Sequence, residues 1–140
     1  MAIETSPYHE VIISRLFPKA IIYLESALVH YEYTDLIPFA WQIVVEKHSN
    51  PNKYDISYPL IKPYYIEKKY LFIAIDTIFV DNIPVNIYNR ERTICDVLRY
   101  ANKLEKEVLT NAIQRYIKDK NRNIRRLMEY TNKLRTPCHT

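Results

Sequence analysis

The fold is indicated most clearly by residues 75–97, which read IDTIFVDNIPVNIYNRERTICDV. Two segments rich in β-branched residues, 75–80 and 85–88, flank the pair Asp81-Asn82, and this arrangement is typical of a β-hairpin. Asn89 follows the second segment and is suited to cap a helix that begins after it. The apolar residues beyond Asn89 recur at helical spacing, so the stretch predicts a hairpin that leads directly into a helix.

Further elements are predicted on both sides of this stretch. A β-branched run within residues 41–46 predicts a buried strand. A strand over residues 60–66 is expected only at a sheet edge, because Pro63 cannot donate a ladder hydrogen bond. Apolar stripes predict helices over residues 23–33, 103–118 and 121–134. Residues 1–20 show only weak periodicity, and one short helix is expected there, over residues 8–16. We therefore expect an α+β fold, with a small mixed sheet of three to four strands packed with helices and followed by a C-terminal helical region.

The chain length favours one domain, because 140 residues usually form a single hydrophobic core. Residues 1–20 are expected to be an N-terminal connecting segment, and residues 21–140 the domain. Cys95 and Cys138 are too few to staple a small secreted scaffold, which favours a reducing compartment. With neither a signal peptide nor a membrane-spanning apolar run, the sequence predicts a cytoplasmic protein without a membrane partner.

Glycine is absent from the sequence. Phosphate-binding loops of nucleotide enzymes need glycine where the backbone approaches a phosphate, so P-loop and dinucleotide-binding sites are excluded. We expect no cofactor. Turns and helix ends must then rely on asparagine, aspartate and proline.

Charge is divided unevenly along the chain. Residues 1–89 hold 7 Lys+Arg against 10 Asp+Glu, a net charge of −3, whereas residues 90–140 hold 13 against 6, a net charge of +7. Such asymmetry suggests an anionic partner, and nucleic acid is one candidate. The alternative interpretation is that these charges form a helix face that only keeps the protein soluble. The candidate contact surface consists of Arg115, Lys118, Lys120, Arg122, Arg125, Arg126 and Lys133.

Catalytic signals are weak. Asp55 followed by Glu67 and Lys69 has the residue types of a metal-dependent nuclease, in which two acids hold Mg²⁺ and the lysine supports the attacking water. Charged triplets of this kind arise often by chance, and we expect a solvated turn rather than an enzyme. The four histidines, at positions 9, 30, 48 and 139, lack the spacing of a zinc site.

Four stretches match a known family in their order and spacing. They are LESALVHYEYTD at residues 24–35 with Pro38, the strand at residues 43–45, VNIYNRERTICD at residues 85–96, and LMEY at residues 127–130 with Leu134. Together they resemble the AbiEi family of abortive-infection antitoxins over residues 20–135. Two features depart from the family: Glu32 stands where a glycine is usual, and most or all of the winged-helix DNA-binding domain that normally precedes the matched region is missing from these 140 residues.

The resemblance implies the antitoxin of a type IV toxin-antitoxin system that defends against phage. Its functional partner would be an AbiEii-like nucleotidyltransferase toxin, without a stable complex being assumed, and the full protein would also regulate its own operon. A stand-alone nucleic-acid-binding module is the alternative function, and a metal-dependent nuclease the second alternative.

The resemblance also singles out Ser26, Arg92, Thr93 and Asp96, which we interpret first as structural. Arg92 and Asp96 are four residues apart and so lie on one side of a helix. An exposed pair of this kind contributes about 0.3 to 0.5 kcal/mol. We instead expect Arg92 to reach backbone carbonyl groups of the sheet, as part of a clamp between the hairpin and the helix.

Overall fold

The structure is a computed structural model that describes residues 7–134. Within these residues it holds a five-stranded mixed sheet and six α-helices. The helices are α1 (Pro7–Leu16), α2 (Leu24–His30), α3 (Lys68–Leu71), α4 (Arg90–Arg99), α5 (Lys106–Lys118) and α6 (Ile124–Lys133). The strands are β1 (Ile21–Ile22), β2 (Trp41–Glu46), β3 (Ile61–Ile66), β4 (Ile75–Val80) and β5 (Ile83–Tyr88), and short 3-10 turns cover Pro51–Tyr54 and Ala101–Lys103.

The sheet has the strand order β3-β2-β1-β5-β4. The central strand β1 pairs antiparallel with β2 and parallel with β5. The outer pairs are parallel for β2 and β3 and antiparallel for the β4–β5 hairpin. The α+β class and the mixed sheet are therefore confirmed, and β3, which contains Pro63, lies at an edge as expected.

The predicted strand number, three to four, is wrong, because the sheet has five strands. The missed strand is β1, which consists of Ile21 and Ile22 only. Two residues cannot show the period-two alternation from which a strand is recognised. Their position between β2 and β5 depends on pairing with distant parts of the chain.

The hairpin turn shows how the chain turns without glycine. Asp81 and Asn82 have φ values of 51° and 66°, both in the left-handed region. A two-residue hairpin turn of the I′ type requires this conformation at both positions, and aspartate and asparagine tolerate it better than other residues with a Cβ. The prediction of a hairpin around Asp81-Asn82 is confirmed.

Helices cover both faces of the sheet. One core cluster joins Val44 of β2 to residues of α2, α4 and α5, such as Val97 and Ala112. The other joins Ile43 and Val45 to Ile13 and Phe17 at the α1 side. The helix predicted over residues 8–16 is thus confirmed, and it contributes to the core. Residues 1–6 of the predicted connecting segment, and both Cys138 and His139, lie outside the described residues.

Helix α2 is hydrogen-bonded to the sheet on both sides of the short central strand. Tyr23, between β1 and α2, donates its backbone N–H to the Gln42 carbonyl at 2.9 Å. At the other side of α2, the Tyr31 hydroxyl donates to the Tyr88 carbonyl at 2.7 Å. The helix therefore fills the space between the start of β2 and the end of β5, which explains why its apolar residues contribute to both core clusters.

Two C-terminal helices begin later than predicted. Helix α5 starts at Lys106 rather than at residue 103, because a 3-10 turn precedes it and Glu105 is extended. Helix α6 starts at Ile124 because the Asn123 side chain caps it, accepting a hydrogen bond from the Arg126 N–H at 3.0 Å. In residues 7–134 no helix combines the length and apolar character needed to cross a membrane.

Candidate functional site

Ser26 ties α2 to the sheet. Its buried hydroxyl accepts a hydrogen bond from the Gln42 N–H at 2.8 Å. The Gln42 side chain in turn accepts from the Glu25 N–H at 2.8 Å and donates to the Glu25 carboxylate at 3.3 Å. Because these groups satisfy one another in the interior, Ser26 has a structural role in this geometry. Gln42 was missed from the sequence, although an amide within a buried apolar strand signals a buried partner.

The end of α2 is closed by a pair of backbone hydrogen bonds. The Tyr33 N–H donates to the Leu28 carbonyl at 2.9 Å, and the Glu32 N–H donates to the Val29 carbonyl at 3.1 Å. This is the Schellman pattern, in which the residue after the C-cap adopts a left-handed conformation and is most often glycine. Here that residue is Glu32, with φ at 62°.

Arg92 and Asp96 form a buried ion pair on α4. Both side chains are fully buried, and Arg92 Nε lies 3.0 Å from an Asp96 carboxylate oxygen. The guanidinium group stacks 4.0 Å from the centre of the Tyr88 ring. It also donates to the carbonyl groups of Tyr70 and Ile73, each at 2.9 Å. These carbonyls belong to α3 and the segment before β4, whereas we expected carbonyls of the sheet.

The buried carboxylate of Asp96 has a second cationic neighbour. Arg99 Nη1 lies 3.5 Å from the other oxygen of Asp96. Burial raises the pKa of Asp96, and the two arginines act in the opposite direction. Thr93, between the two charged residues, donates its hydroxyl to the Tyr88 carbonyl at 3.4 Å. The residues that the family resemblance singles out on α4 therefore hold the helix against the end of β5.

Glu91 joins three helices and was missed from the sequence. Its side chain is buried, and one carboxylate oxygen accepts from the Tyr116 hydroxyl and from the Asn123 N–H, both at 2.9 Å. These bonds attach the end of α5 and the start of α6 to the first turn of α4. A carboxylate in the first turn of a helix is also favoured by the helix dipole. Sequence position alone made Glu91 indistinguishable from an exposed charge.

Cys95 is a buried thiol of α4. Its sulfur lies 3.6 Å from the Leu127 carbonyl oxygen and 3.5 Å from the Thr131 hydroxyl. Burial raises the pKa of the thiol, which disfavours the nucleophilic thiolate. These contacts hold α6 against α4.

Most of the predicted basic surface is open to solvent. The side chains of Lys118, Lys120, Arg122, Arg125, Arg126 and Lys133 are all exposed. Arg122 also donates to the Asp119 carbonyl at 3.2 Å. Arg125 and Arg126 project from the first turn of α6, so their guanidinium groups are accessible to phosphate or carboxylate groups.

Arg115 differs from the rest of the predicted surface. Its two terminal nitrogens lie 3.0 and 2.6 Å from the Asp35 carboxylate oxygens, and one also donates to the Glu32 carbonyl at 3.1 Å. This pairing holds the pKa of Asp35 below its ordinary value. Arg115 thus links α5 to the loop after α2, and an external anion would have to compete with that bidentate contact.

The residues of the nuclease alternative do not form a metal site in the described part of the chain. Asp55 and Glu67 are exposed, and the Lys69 ammonium lies 5.1 Å from the centre of the Tyr70 ring. Across residues 7–134, no three histidine, cysteine, aspartate or glutamate side chains converge as metal ligands. His9 instead contacts the Tyr58 hydroxyl and the Trp41 indole N–H.

The chain was compared with protein-family models and with curated proteins, and neither comparison found a match.

Proposed function

We propose that this chain is the C-terminal domain of an AbiEi-like type IV antitoxin, which acts by binding and regulation rather than by catalysis. The proposal rests on the four motif stretches in their order and spacing. Its functional partner is an AbiEii-like nucleotidyltransferase toxin, and no stable complex between the two is required.

The backbone at Glu32 is the structural observation that supports this resemblance. The family usually has glycine at this position, and the chain has glutamate, which by itself weakens the resemblance. The Glu32 backbone nevertheless adopts the left-handed conformation that glycine reaches without steric cost. The local structure that explains a family glycine is therefore present despite the different residue.

Co-expression with an AbiEii-like toxin tests the proposal. Growth of cells that make both proteins should be restored relative to cells that make the toxin alone. Val97→Asp is the unfolded control, because it places a carboxylate in the core, and it should give no protection. The proposal is wrong if cells with the folded chain stop growing as fast as cells with toxin alone.

A stand-alone nucleic-acid-binding module is the second candidate, favoured by the exposed cations of α6 and the preceding loop. Arginine side chains of this kind pair with phosphates in a bidentate manner. Such binding would also suit transcriptional autoregulation by the antitoxin. The two candidates differ in that the antitoxin must protect cells from the toxin, whereas the module need not.

A further inference from the structure

The loop between α2 and β2 presents apolar side chains to solvent. Phe39 is 91% exposed, and Leu36 and Ile37 are also exposed. They border a groove of about 480 Å³ that is also lined by Glu25 and Glu105. Exposed apolar side chains that cluster around a groove are characteristic of an interaction surface rather than of isolated surface residues.

The lining of the groove carries an excess of negative charge. Its charged residues are Glu25, Glu105 and Lys62, a net charge of −1. The Glu25 carboxylate accepts a hydrogen bond from the Gln42 amide, and Glu105 is exposed. The two carboxylates beside the exposed apolar residues suit a segment that combines apolar and cationic side chains.

Helix α6 carries such a segment on its outer face. Ile124 and Met128 are 48% and 57% exposed and lie one turn apart, on the same side of the helix. Arg125 is exposed next to them. Helix α6 itself contains three basic residues and one acidic residue, a net charge of +2. The apolar pair with Arg125 beside it therefore complements the groove, whose lining is negative.

We infer that α6 of one copy of this chain docks in the groove of a second copy. Ile124 and Met128 would contact Phe39 and the apolar loop, and Arg125 would face the groove carboxylates. The two surfaces differ, so each contact is heterologous: the association closes when copies dock reciprocally, as a dimer or larger ring, and otherwise continues as a chain. The contact covers only about two helical turns, which places it among weak, reversible interfaces.

The charge contribution makes the association sensitive to salt. Exposed charges are screened over shorter distances as ionic strength rises, so the association should weaken between about 50 and about 500 mM NaCl. Analytical ultracentrifugation of the protein alone, at concentrations up to about 1 mM, measures the average mass and detects dissociation constants in the millimolar range. We expect the average mass to rise with concentration at low salt and to fall toward the monomer value at high salt.

Two single-face variants test the geometry. Phe39→Lys replaces the exposed ring at the groove with a cation that repels Arg125 and keeps α6, whereas Met128→Asp alters α6 and keeps the groove. Each variant alone should remain monomeric, while an equimolar mixture should form one-to-one dimers, because one complete interface is then available. Phe79→Lys is the control: Phe79 is 69% exposed on β4, at the opposite edge of the sheet from β3, and its substitution should leave association unchanged.

The folded state of each variant is checked by circular dichroism and thermal unfolding. The inference is overturned if the wild-type protein stays monomeric at every concentration. It is equally overturned if neither single-face variant reduces association, if the mixture stays monomeric, or if high salt leaves the mass distribution unchanged.

Discussion

The left-handed backbone of Glu32 is a conformation that glycine adopts at a lower cost in free energy. A left-handed conformation costs a residue with a Cβ roughly 1 to 2 kcal/mol, and glycine avoids this cost. Glycine also makes the unfolded chain more flexible, which reduces the gain in stability by about 0.5 to 1 kcal/mol. With φ at 62°, Glu32→Gly should raise the free energy of unfolding. We expect a gain of about 0.5 to 1 kcal/mol, measured by urea denaturation.

Glu32→Ala is the matched control, because it removes the charge and keeps the Cβ. It should not be more stable than the wild type, since alanine carries the same steric penalty. If alanine and glycine stabilise the protein equally, the charge of Glu32 and not its backbone conformation is the source of the effect.

Arg92 and Asp96 are the residues whose truncation should cost most. Both are fully buried, so loss of Asp96 leaves the Arg92 guanidinium without its carboxylate, and loss of Arg92 leaves Asp96 with the more distant Arg99 at 3.5 Å. Arg92→Ala and Asp96→Ala should each lower the free energy of unfolding by roughly 3 to 5 kcal/mol. Arg125→Ala, which removes an exposed guanidinium, should change it by less than about 0.5 kcal/mol.

Thermal unfolding and the growth assay separate structure from function at this pair. We expect loss of protection by Arg92→Ala to accompany loss of stability. An unchanged melting temperature with lost protection would instead make Arg92 part of a functional surface. The double substitution Arg92→Met with Asp96→Leu should cost less than the two alanine variants summed, because neither charge is then left unpaired.

At the scale of elements, Asp119 connects three parts of the helical layer. It follows α5, accepts a hydrogen bond from the Tyr33 hydroxyl after α2, and lies 3.3 Å from Arg90 Nε at the start of α4. The Tyr33 hydrogen bond holds the pKa of Asp119 below its ordinary value, and the Asn121 N–H and Arg90 act in the same direction. The charged form of Asp119 therefore stabilises the junction of α2, α4 and α5.

The direction of the pKa shift sets the pH dependence. Because the folded-state pKa is lowered, the contribution is present above the ordinary aspartate pKa, about 4, and is lost as pH falls through the lower folded value. Asp119→Asn should destabilise the protein at neutral pH, and its free energy of unfolding should fall less steeply than that of the wild type as pH drops below about 4. Urea denaturation at several pH values measures this. Asp55→Asn, in the loop before β3, is the control, and an equal flattening there would contradict the assignment to Asp119.

At the scale of the whole molecule, the charge asymmetry predicts how the basic surface binds duplex nucleic acid. If about four phosphates are contacted, affinity should fall roughly a hundredfold between about 50 and 200 mM salt, without sequence preference. The slope of the logarithm of affinity against the logarithm of salt concentration measures the number of phosphate contacts. Replacing both Arg125 and Arg126 with glutamine should lower the magnitude of this slope by about 2. Lys53→Gln, in the acidic part of the chain, should leave the slope unchanged. Absence of binding at low salt would exclude this function.

Local chemistry explains why much of the fold was predictable. The β4–β5 hairpin, the strand β2 and the N-cap Asn89 depend on neighbouring residues, since turn preference, β-branching and capping all act within a few positions. The Asn89 side chain accepts from the Arg92 N–H at 2.9 Å, as the sequence predicted. The exposed cations of α6 were equally predictable, because a helix of known register determines which residues share a face.

The sequence by itself determined the α+β class, the hairpin with its following helix, and the position of the positive charges. Tertiary structure alone decided the presence of β1, the partners of Glu91 and Gln42, and the withdrawal of Arg115 from the basic surface toward Asp35. Each of these depends on residues between 16 and 80 positions apart. Propensity and periodicity describe neighbours in the chain, whereas pairing, burial and ion contacts depend on which distant segments the folded core brings together.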